Sequence, residues 1–349
     1  MAIEGSQAPD LKYHYVSIFK DGVLSGAMYL QHLTFSHKHF NRDLVQTPLL
    51  KLAHPILSKL KAHILICGNL FRVNFQGFYF KDKNDRIDIF DCLNIYRKQI
   101  KRQVNFCGIL VKDCTREFEP SSITCFQFKP FRQDLTMEMA LQPAWQNFDE
   151  YVAALSKKYR QRAIKIRKSI SEVERKYLSL DEIKYYQKDI QNLYMNVVNK
   201  QSLALGILGE DYFVQMKEQL KDNFEVVAFL KDGKLLAFSG HIYYPLKQAM
   251  ELHYIGFDYR ANPLYNLYFN IIFDGVETAI HKGYTKLEMG RTAREAKASA
   301  GAKAVENFNY IWVKAGLPRL AVNFLSNKFE DKMGDDWQNR NPFKDAPAS

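Results

Sequence analysis

The sequence predicts an α/β (α+β) fold with two domains. In the second half, residues 224–313, alternating apolar positions and turn residues predict the order β-β-β-α-β-α-β. In the first half, short apolar segments alternate with helical patterns. The length of 349 residues exceeds one ordinary domain. We therefore expect a first domain over residues 11–141, a second over 147–325 and a polar tail over 326–349.

The first half contains no phosphate-binding signature, since neither GxGxxG nor GxxxxGK[ST] occurs in the chain. Its predicted strands are Tyr15–Phe19, His63–Ile66, Phe78–Phe80, Ile87–Phe90, Gly108–Val111 and Ile123–Phe128. Its predicted helices are Leu50–Leu60 and Cys92–Gln103. The alternation of these elements therefore predicts an α/β or α+β domain without a phosphate-binding loop.

A long helix is predicted to begin at Asn147, because Glu150 three residues later completes a capping-box pattern. Apolar residues then recur at helical spacing as far as Val173. Residues 157–168 hold seven basic side chains and no acidic one. This stretch is either a solvated helix face or a docking surface for phosphates or an acidic protein. Two further helices are predicted over residues 181–222.

The second half begins with a hairpin around Asp232-Gly233, a turn pair typical of tight hairpins. The expected elements after it are a strand Met250–Asp258, a helix from Asn262-Pro263 to about Lys282 that ends at Gly283, a strand Thr285–Met289, a short helix that ends at Gly301, and a strand Asn307–Val313. Arg291, Glu295 and Lys297 thus cluster where a strand runs into a helix, which is where ligands bind in open α/β sheets.

The composition restricts the class of partner more than it restricts the fold. The net charge of +11 favours acidic partners such as nucleic acid, anionic lipid, coenzyme A phosphates or an acidic carrier protein. The five cysteines include no CxxC pair, so reduced thiols are expected. His37 and His39 lack further ligands at a familiar spacing, so we expect no metal site. No apolar run spans a bilayer and no signal peptide is visible, which predicts a cytoplasmic protein.

Glu251 and His253 alternate on one predicted strand face, so both side chains can point into one groove. We predict that one of them is the general base for an attacking amine, with His241 facing them from the neighbouring strand. Arg291 follows a strand at Gly290, where its guanidinium can hold a carboxylate or a phosphate. The alternative for Arg291 is an ion pair with Glu288 or Glu295.

Four further residues are candidates for binding the substrate or the donor. Glu295 and Lys297 lie two apart on a helix and hence on different faces, so one can pair with Arg291 while the other reaches the donor. Tyr254 and Tyr265 can donate a hydrogen bond to a reacting carbonyl, although core packing is the simpler role for a tyrosine in this chain.

Several local sequences resemble the FemAB-like and BioF-like acyltransferases of the GNAT superfamily. The residues that carry the resemblance are 148–160 (FDEYVAALSKKYR), 254–258 (YIGFD) with 265–267 (YNL), 289–297 (MGRTAREAK) with 300–302 (AGA), and 66–70 (ICGNL) with 77–78 (GF). The resemblance implies two tandem GNAT-like domains, each a mixed, mostly antiparallel sheet flanked by helices. It also implies that the first domain is degenerate and that the second carries an acyl-transfer groove.

Enzymes of this superfamily that use acetyl-CoA place a Gly-rich turn before the long helix, where backbone N–H groups bind the pyrophosphate. The corresponding residues 259–264 (YRANPL) contain no glycine, and Pro263 lacks an N–H group. A donor held by other means fits this sequence better. The candidates are a long acyl chain in an aromatic groove, an acyl carrier protein or an aminoacyl-tRNA.

Three functions follow. The first is an N-acyltransferase that moves an acyl group from acyl-CoA or an acyl carrier protein to an amino acid or a related small amine, with no permanently bound cofactor. In this function the basic residues Lys158, Arg160 and Arg162 would dock the donor. The second is a Fem-type transferase that uses aminoacyl-tRNA and a cell-wall precursor. The third is a non-catalytic protein that binds nucleic acid or a membrane surface, which rests on charge alone.

Overall fold

The structure, a computed structural model, describes residues 4, 10–36, 61–82, 88–114, 128–200, 206–314, 316 and 340–344, without the side chains of 131–134. The predicted helix Leu50–Leu60, most of the predicted strand Ile123–Phe128, and Cys125, His37 and His39 lie outside these residues. The strands are β1 (Leu11–Lys20), β2 (Val23–Phe35), β3 (Ala62–Cys67), β4 (Phe78–Phe80), β5 (Gly108–Cys114), β6 (Lys129–Ala140), β7 (Glu174–Tyr177), β8 (Phe224–Lys231), β9 (Lys234–Tyr244), β10 (Ala249–Phe257), β11 (Lys286–Glu288) and β12 (Lys303–Val313). The α-helices are α1 (Ile89–Gln99), α2 (Phe148–Ala154), α3 (Lys157–Lys168), α4 (Leu180–Tyr185), α5 (Gln187–Val198), α6 (Tyr212–Leu220), α7 (Asn262–Tyr265), α8 (Leu267–His281) and α9 (Arg294–Ser299).

The strands form one continuous sheet in the order β1-β2-β3-β5-β12-β6-β11-β10-β9-β8-β7, with β4 paired to β2. The pairs β3–β5 and β10–β11 are parallel, and the other pairs are antiparallel. The halves interleave at the centre, because β12 from the second half pairs with β5 on one side and with β6 on the other. The predicted mixed, mostly antiparallel α/β fold is confirmed, and its two halves share one sheet.

Three apolar clusters cover this sheet. Helices α2, α3 and α8 pack on one face of the second half. Helices α4, α5 and α6 pack on the opposite face and reach the first half through Leu33, Ile66 and Phe71. Helix α1 covers the first half. The second cluster thus joins the two halves and lies next to the polar centre described below.

Two predicted elements in these regions were wrong. Ile89 and Phe90 of the predicted strand Ile87–Phe90 are helical, because the Asp88 carboxylate accepts a hydrogen bond from the Phe90 N–H at 2.7 Å and caps α1, while Ile87 lies outside the described residues. The single helix predicted after Asn147 is interrupted at Leu155, which is extended and forms a β-bridge with Phe343. Apolar spacing reports which face is buried and does not detect an interruption of this kind.

The helix predicted from Asn262 is also interrupted. Asn266 adopts a left-handed conformation with φ of 46° and separates α7 from α8. The Asn262 side-chain oxygen accepts a hydrogen bond from the Tyr268 N–H at 3.0 Å, and the Asn270 amide donates to the Tyr265 carbonyl at 2.9 Å. Asparagine tolerates this conformation better than most residues, and side-chain amides hold the break in place.

Candidate active site

The loop between β3 and β4, residues 68–77, carries polar side chains from the first half into the second. We call it the Arg72 loop. Its two ends meet at Tyr29, which accepts from the Gly68 N–H at 3.4 Å and donates to the Gly77 carbonyl at 2.8 Å. A Cβ on Gly77 would lie 2.2 Å from the Gly68 nitrogen, so the closed base of the loop requires glycine there. Compact loops with closed ends frequently carry functional residues.

At its tip the Arg72 loop contacts a buried carboxylate on β10. The Arg72 guanidinium donates to Glu251 at 2.9 Å, and the Tyr244 hydroxyl donates to the same oxygen at 2.9 Å. The other Glu251 oxygen lies 2.7 Å from His253 Nδ1, and His253 Nε2 lies 2.6 Å from the Tyr212 hydroxyl. The tyrosine supplies the proton on one side of the imidazole, so the other nitrogen donates to the carboxylate. The predicted alternation of Glu251 and His253 on one face is thus observed.

The surroundings of Glu251 and His253 shift the pKa values of both residues. Burial alone would raise the pKa of Glu251, but the charges and hydrogen bonds of His253, Arg72 and Tyr244 lower it to about 2. Burial lowers the pKa of His253. Both carboxylate oxygens of Glu251 and both ring nitrogens of His253 already have hydrogen-bond partners. This arrangement suits the positioning of Arg72 better than the acceptance of a proton from a substrate. A general-base role for Glu251 or His253 stays a prediction.

The second cation of the site is Arg291. Its guanidinium is paired with the Asp113 carboxylate at the end of β5, in place of the anticipated Glu288 or Glu295. The other Asp113 oxygen accepts from the Lys112 amine, which also donates to the backbone carbonyls of Asn69 at 2.8 Å and Arg72 at 3.1 Å. Arg291 of the second half is therefore linked through two residues of β5 to the Arg72 loop.

The third cationic residue is Lys297 on α9. Its amine lies 4.0 Å from the position that a Cβ on Gly290 would occupy, directly before Arg291. The residue is 5% exposed. Burial, with a smaller contribution from the Arg294 charge, lowers the pKa of Lys297 to about 7. A lysine in this environment can hold or release a proton at neutral pH.

Tyr254 on β10 contacts both the Arg72 loop and His253. The register shift in β10 falls between Leu252 and Ile255, a β-bulge that turns the Tyr254 and His253 rings toward each other, with centroids 4.5 Å apart. The Tyr254 hydroxyl donates to the Phe71 carbonyl at 3.2 Å, and burial raises the pKa of Tyr254. Tyr254 therefore joins β10 to the Arg72 loop.

Three predicted residues lie elsewhere. His241 pairs with Leu252 on the opposite face of the sheet, and its Nε2 lies 3.0 Å from the Ser239 hydroxyl. Glu295 is paired with Arg340 at 2.6 Å. The Tyr265 carbonyl accepts from Ser169 beside α3, and its ring lies near Lys231. None of these contacts places His241, Glu295 or Tyr265 beside Arg72 or Arg291.

The basic stretch forms α3, and much of its charge faces solvent. The exposed basic residues are Lys157, Lys158, Arg162, Lys165 and Lys168, while Arg160 is half-buried. Arg167 is engaged by Glu277, and the Arg162 guanidinium lies 4.5 Å from the centre of the Phe269 ring. Lys157 and Lys158 lie in the first helical turn, where positive charge opposes the helix dipole by about 0.3–1 kcal/mol each.

Within the described ranges no group of three or more histidine, cysteine or acidic residues is arranged to hold a metal ion. Cys67, Cys92, Cys107 and Cys114 are free thiols. None of the helices seen in this structure is both long and apolar enough to cross a bilayer.

Residues 112–345 match the model of the FemAB-like family, which is described as peptidoglycan biosynthesis/recognition. The chain belongs to this family. The crystal structure of FemX is similar over 91% of each chain, with a TM-score of 0.54 and 10% identity. L-PGS from Bacillus licheniformis is similar over 93% of this chain and 94% of its own, with a TM-score of 0.52 and 10% identity. These likenesses show a shared fold.

No curated protein sequence gives a significant match. Membership of the FemAB-like family indicates a transferase of the acyl or aminoacyl class. The candidate site of this chain comprises Arg72, Arg291 and Lys297, with Glu251 paired to Arg72 and Asp113 paired to Arg291.

Proposed function

We propose that the protein transfers an aminoacyl group from an aminoacyl-tRNA ester to the amine of a peptidoglycan precursor, forming an amide bond. One observation carries the proposal: the buried amine of Lys297, with a pKa of about 7, lies beside Gly290-Arg291 at the junction of the two halves. An amine acceptor must lose a proton when it attacks a carbonyl, and a base is most useful when its pKa is near the working pH.

In the proposed reaction the acceptor amine attacks the donor carbonyl and forms the new C–N bond. Neutral Lys297 accepts the proton that the nitrogen loses, and returns it to the leaving hydroxyl oxygen as the C–O ester bond breaks. The guanidinium of Arg291, held by Asp113, stabilises the negative charge that develops on the carbonyl oxygen. Arg72, held by Glu251, binds an anionic group of the acceptor.

The start of α8 argues for a donor other than acyl-CoA. Pro263 has no N–H group, and the Tyr268 N–H is already bonded to the side chain of Asn262. The left-handed Asn266 and the α7 turn occupy the place of a Gly-rich phosphate turn. The described backbone at this position therefore gives little support for binding the CoA pyrophosphate.

Helix α3 supports a large anionic donor. Its exposed lysines and Arg162, together with the net charge of +11, suit the phosphates of a tRNA. The same helix supports a second candidate function, N-acylation of an amino acid from the thioester of an acidic acyl carrier protein. The carrier would then dock on Lys158, Arg160 and Arg162.

The test is a product assay by mass spectrometry with aminoacyl-tRNA, acyl carrier protein thioesters and acyl-CoA, each with precursor peptides and free amino acids as acceptors. We expect an aminoacylated precursor with charged tRNA, and loss of that product in Lys297→Met. Lys303→Met is the matched control, because Lys303 is an exposed lysine on the adjacent strand β12. Product with a carrier thioester alone would establish the second candidate and refute the first.

The docking role of α3 is tested separately by reversing charge at Lys158 and Arg162. The variant should raise KM for the donor and lessen the dependence of KM on salt, while kcat stays unchanged. Lys184→Glu on α4 is the control, since it changes an exposed lysine outside α3. An unchanged KM in the α3 variant would exclude this helix from donor binding.

A further inference from the structure

A short segment near the C-terminus, residues 340–344, lies across the second half of the protein. We call it the C-terminal strap. The Ser156 N–H donates to the Pro342 carbonyl at 2.9 Å, and the Lys344 N–H donates to the Ala154 carbonyl at 3.1 Å. These bonds fix the strap in the gap between α2 and α3. The part of the polar tail seen here is therefore docked on the folded protein.

The Phe343 side chain anchors the strap against the end of α9. Its ring lies 5.5 Å from Trp145 and 6.3 Å from Tyr151 between ring centres. A Cβ on Gly301 would lie 2.5 Å from Phe343 Cζ, so the ring occupies the space that the glycine leaves free. The Tyr151 hydroxyl also donates to the Ala300 carbonyl at 2.8 Å. The C-terminal end of α9 is thus held by the strap and by α2.

The strap holds the other end of α9 as well. The Arg340 guanidinium donates through Nε at 3.2 Å and through Nη2 at 2.6 Å to one Glu295 oxygen in the first turn of the helix. Helix α9 has six residues and lies between Ala293, with φ of 51°, and Gly301, with φ of 109°. A helix of this length is not stable by itself, so its position depends on tertiary contacts.

We propose that the C-terminal strap positions Lys297 for catalysis, with Phe343 and Arg340 as positioning residues that clamp the two ends of α9. The two contacts lie on either side of Lys297, at Glu295 and at Gly301. The catalytic meaning of this inference rests on the function proposed above, whereas the placement of Lys297 is measured without any substrate.

The physical consequence of releasing the strap is hydration of the Lys297 amine. Arg294 on the same helix repels the protonated amine, and burial is the larger effect. Across α9, Lys303 on β12 and Glu138 on β6 are paired in register, and Glu138 is bonded to Asn74 and lies 3.4 Å from Lys286. Arg340 is paired with Glu295, and Tyr151 on α2 is buried with a raised pKa. Water that reaches the amine would therefore raise the pKa of Lys297 toward 10.5.

The experiment measures the rate at which acetic anhydride modifies the Lys297 amine as a function of pH, by quantitative mass spectrometry on the full chain. In Phe343→Ala we expect the midpoint of this profile to rise by about one pH unit or more. A rise of one unit from a pKa of about 7 lowers the fraction of neutral amine at pH 7 about fivefold, and we expect a matching fall in transfer rate that is recovered at higher pH. Lys344→Ala is the control, because that side chain is exposed and the bond to Ala154 comes from the backbone N–H, which alanine keeps.

Arg340→Glu and Glu295→Arg each break the second clamp with little risk to folding, since both side chains are partly exposed. Each single variant should raise the Lys297 midpoint, and the double charge swap should restore it. An unchanged midpoint in folded Phe343→Ala, or a swap that restores nothing, would overturn the inference. A raised midpoint in a chain that transfers nothing to any acceptor would support the positioning of Lys297 and refute the proposed function.

Discussion

Replacement of Lys297 by methionine should make the protein more stable at neutral pH while it removes the proposed proton acceptor. The side chain is 5% exposed, and its pKa of about 7 lies well below the ordinary 10.5. Because each pKa unit corresponds to about 1.4 kcal/mol, burial of this amine destabilises the folded state by up to about 5 kcal/mol below pH 7. Methionine has a similar length and no charge, so Lys297→Met should recover most of this free energy of unfolding.

The sign of the effect gives a sharper test than its size. Between pH 7 and 10.5 the unfolded chain holds a proton on Lys297 that the folded chain lacks. Wild-type stability should therefore rise relative to Lys297→Met by about 1.4 kcal/mol per pH unit in this window, and the difference should vanish above it. Urea unfolding at pH 7, 8.5 and 10 measures this difference, and Lys303→Met should differ from wild type by less than about 0.5 kcal/mol. A stability gain that does not change with pH would refute the assignment of a neutral, buried Lys297.

Three further predictions follow from the other buried charges. Glu251→Gln should destabilise the protein by about 3 kcal/mol at pH 7 and least at low pH. The Glu251 carboxylate has a pKa of about 2 in the folded state, so its charge stabilises the folded state above pH 4.5, and this stabilisation is lost as the pH falls through 2. Acid titration of both proteins followed by circular dichroism measures the difference, and equal acid midpoints would refute the prediction. Arg291→Ala should abolish transfer, and it should destabilise the protein by about 2–4 kcal/mol because the buried Asp113 carboxylate loses one of its cationic partners. The product assay measures the first effect and urea unfolding the second. Full activity would exclude Arg291 from the site. Asp274→Asn breaks the buried ion pair with Arg175, so it should destabilise the protein by about 2–4 kcal/mol and leave KM unchanged. Urea unfolding and steady-state kinetics measure the two effects. A raised KM would show that α8 also contributes to substrate binding.

Local chemistry in the sequence predicted the second half well. The hairpin forms at Asp232-Gly233 with positive φ at both positions, and Gly283 ends α8 with φ of 72°. The alternation on β10 correctly placed Glu251 beside His253. Each of these features depends on residues that are close in sequence, so a periodicity argument can reach them.

The composition of the site was harder to predict, because its contacts are distant in sequence. Asp113 and Arg291 are 178 positions apart, and Tyr254 contacts Phe71 across 183 positions. Arg72 was missed as a candidate, although the glycines at 68 and 77 mark the loop that carries it. His241 was placed on the wrong face because the register of β9 against β10 decides the face, and a shift of one residue reverses it.

The interleaved sheet explains how the site keeps its arrangement although it contains several buried charges. Glu251, Asp113 and Lys297 are buried ionisable groups, which add less to stability than apolar residues of similar size would. The groups of the first half, Asp113 and the Arg72 loop, are held against those of the second because β12 is hydrogen-bonded to both β5 and β6. Moving the halves apart would break both ladders. A continuous sheet thus keeps cations from both halves in fixed relative positions, which is what stabilisation of a developing oxyanion requires.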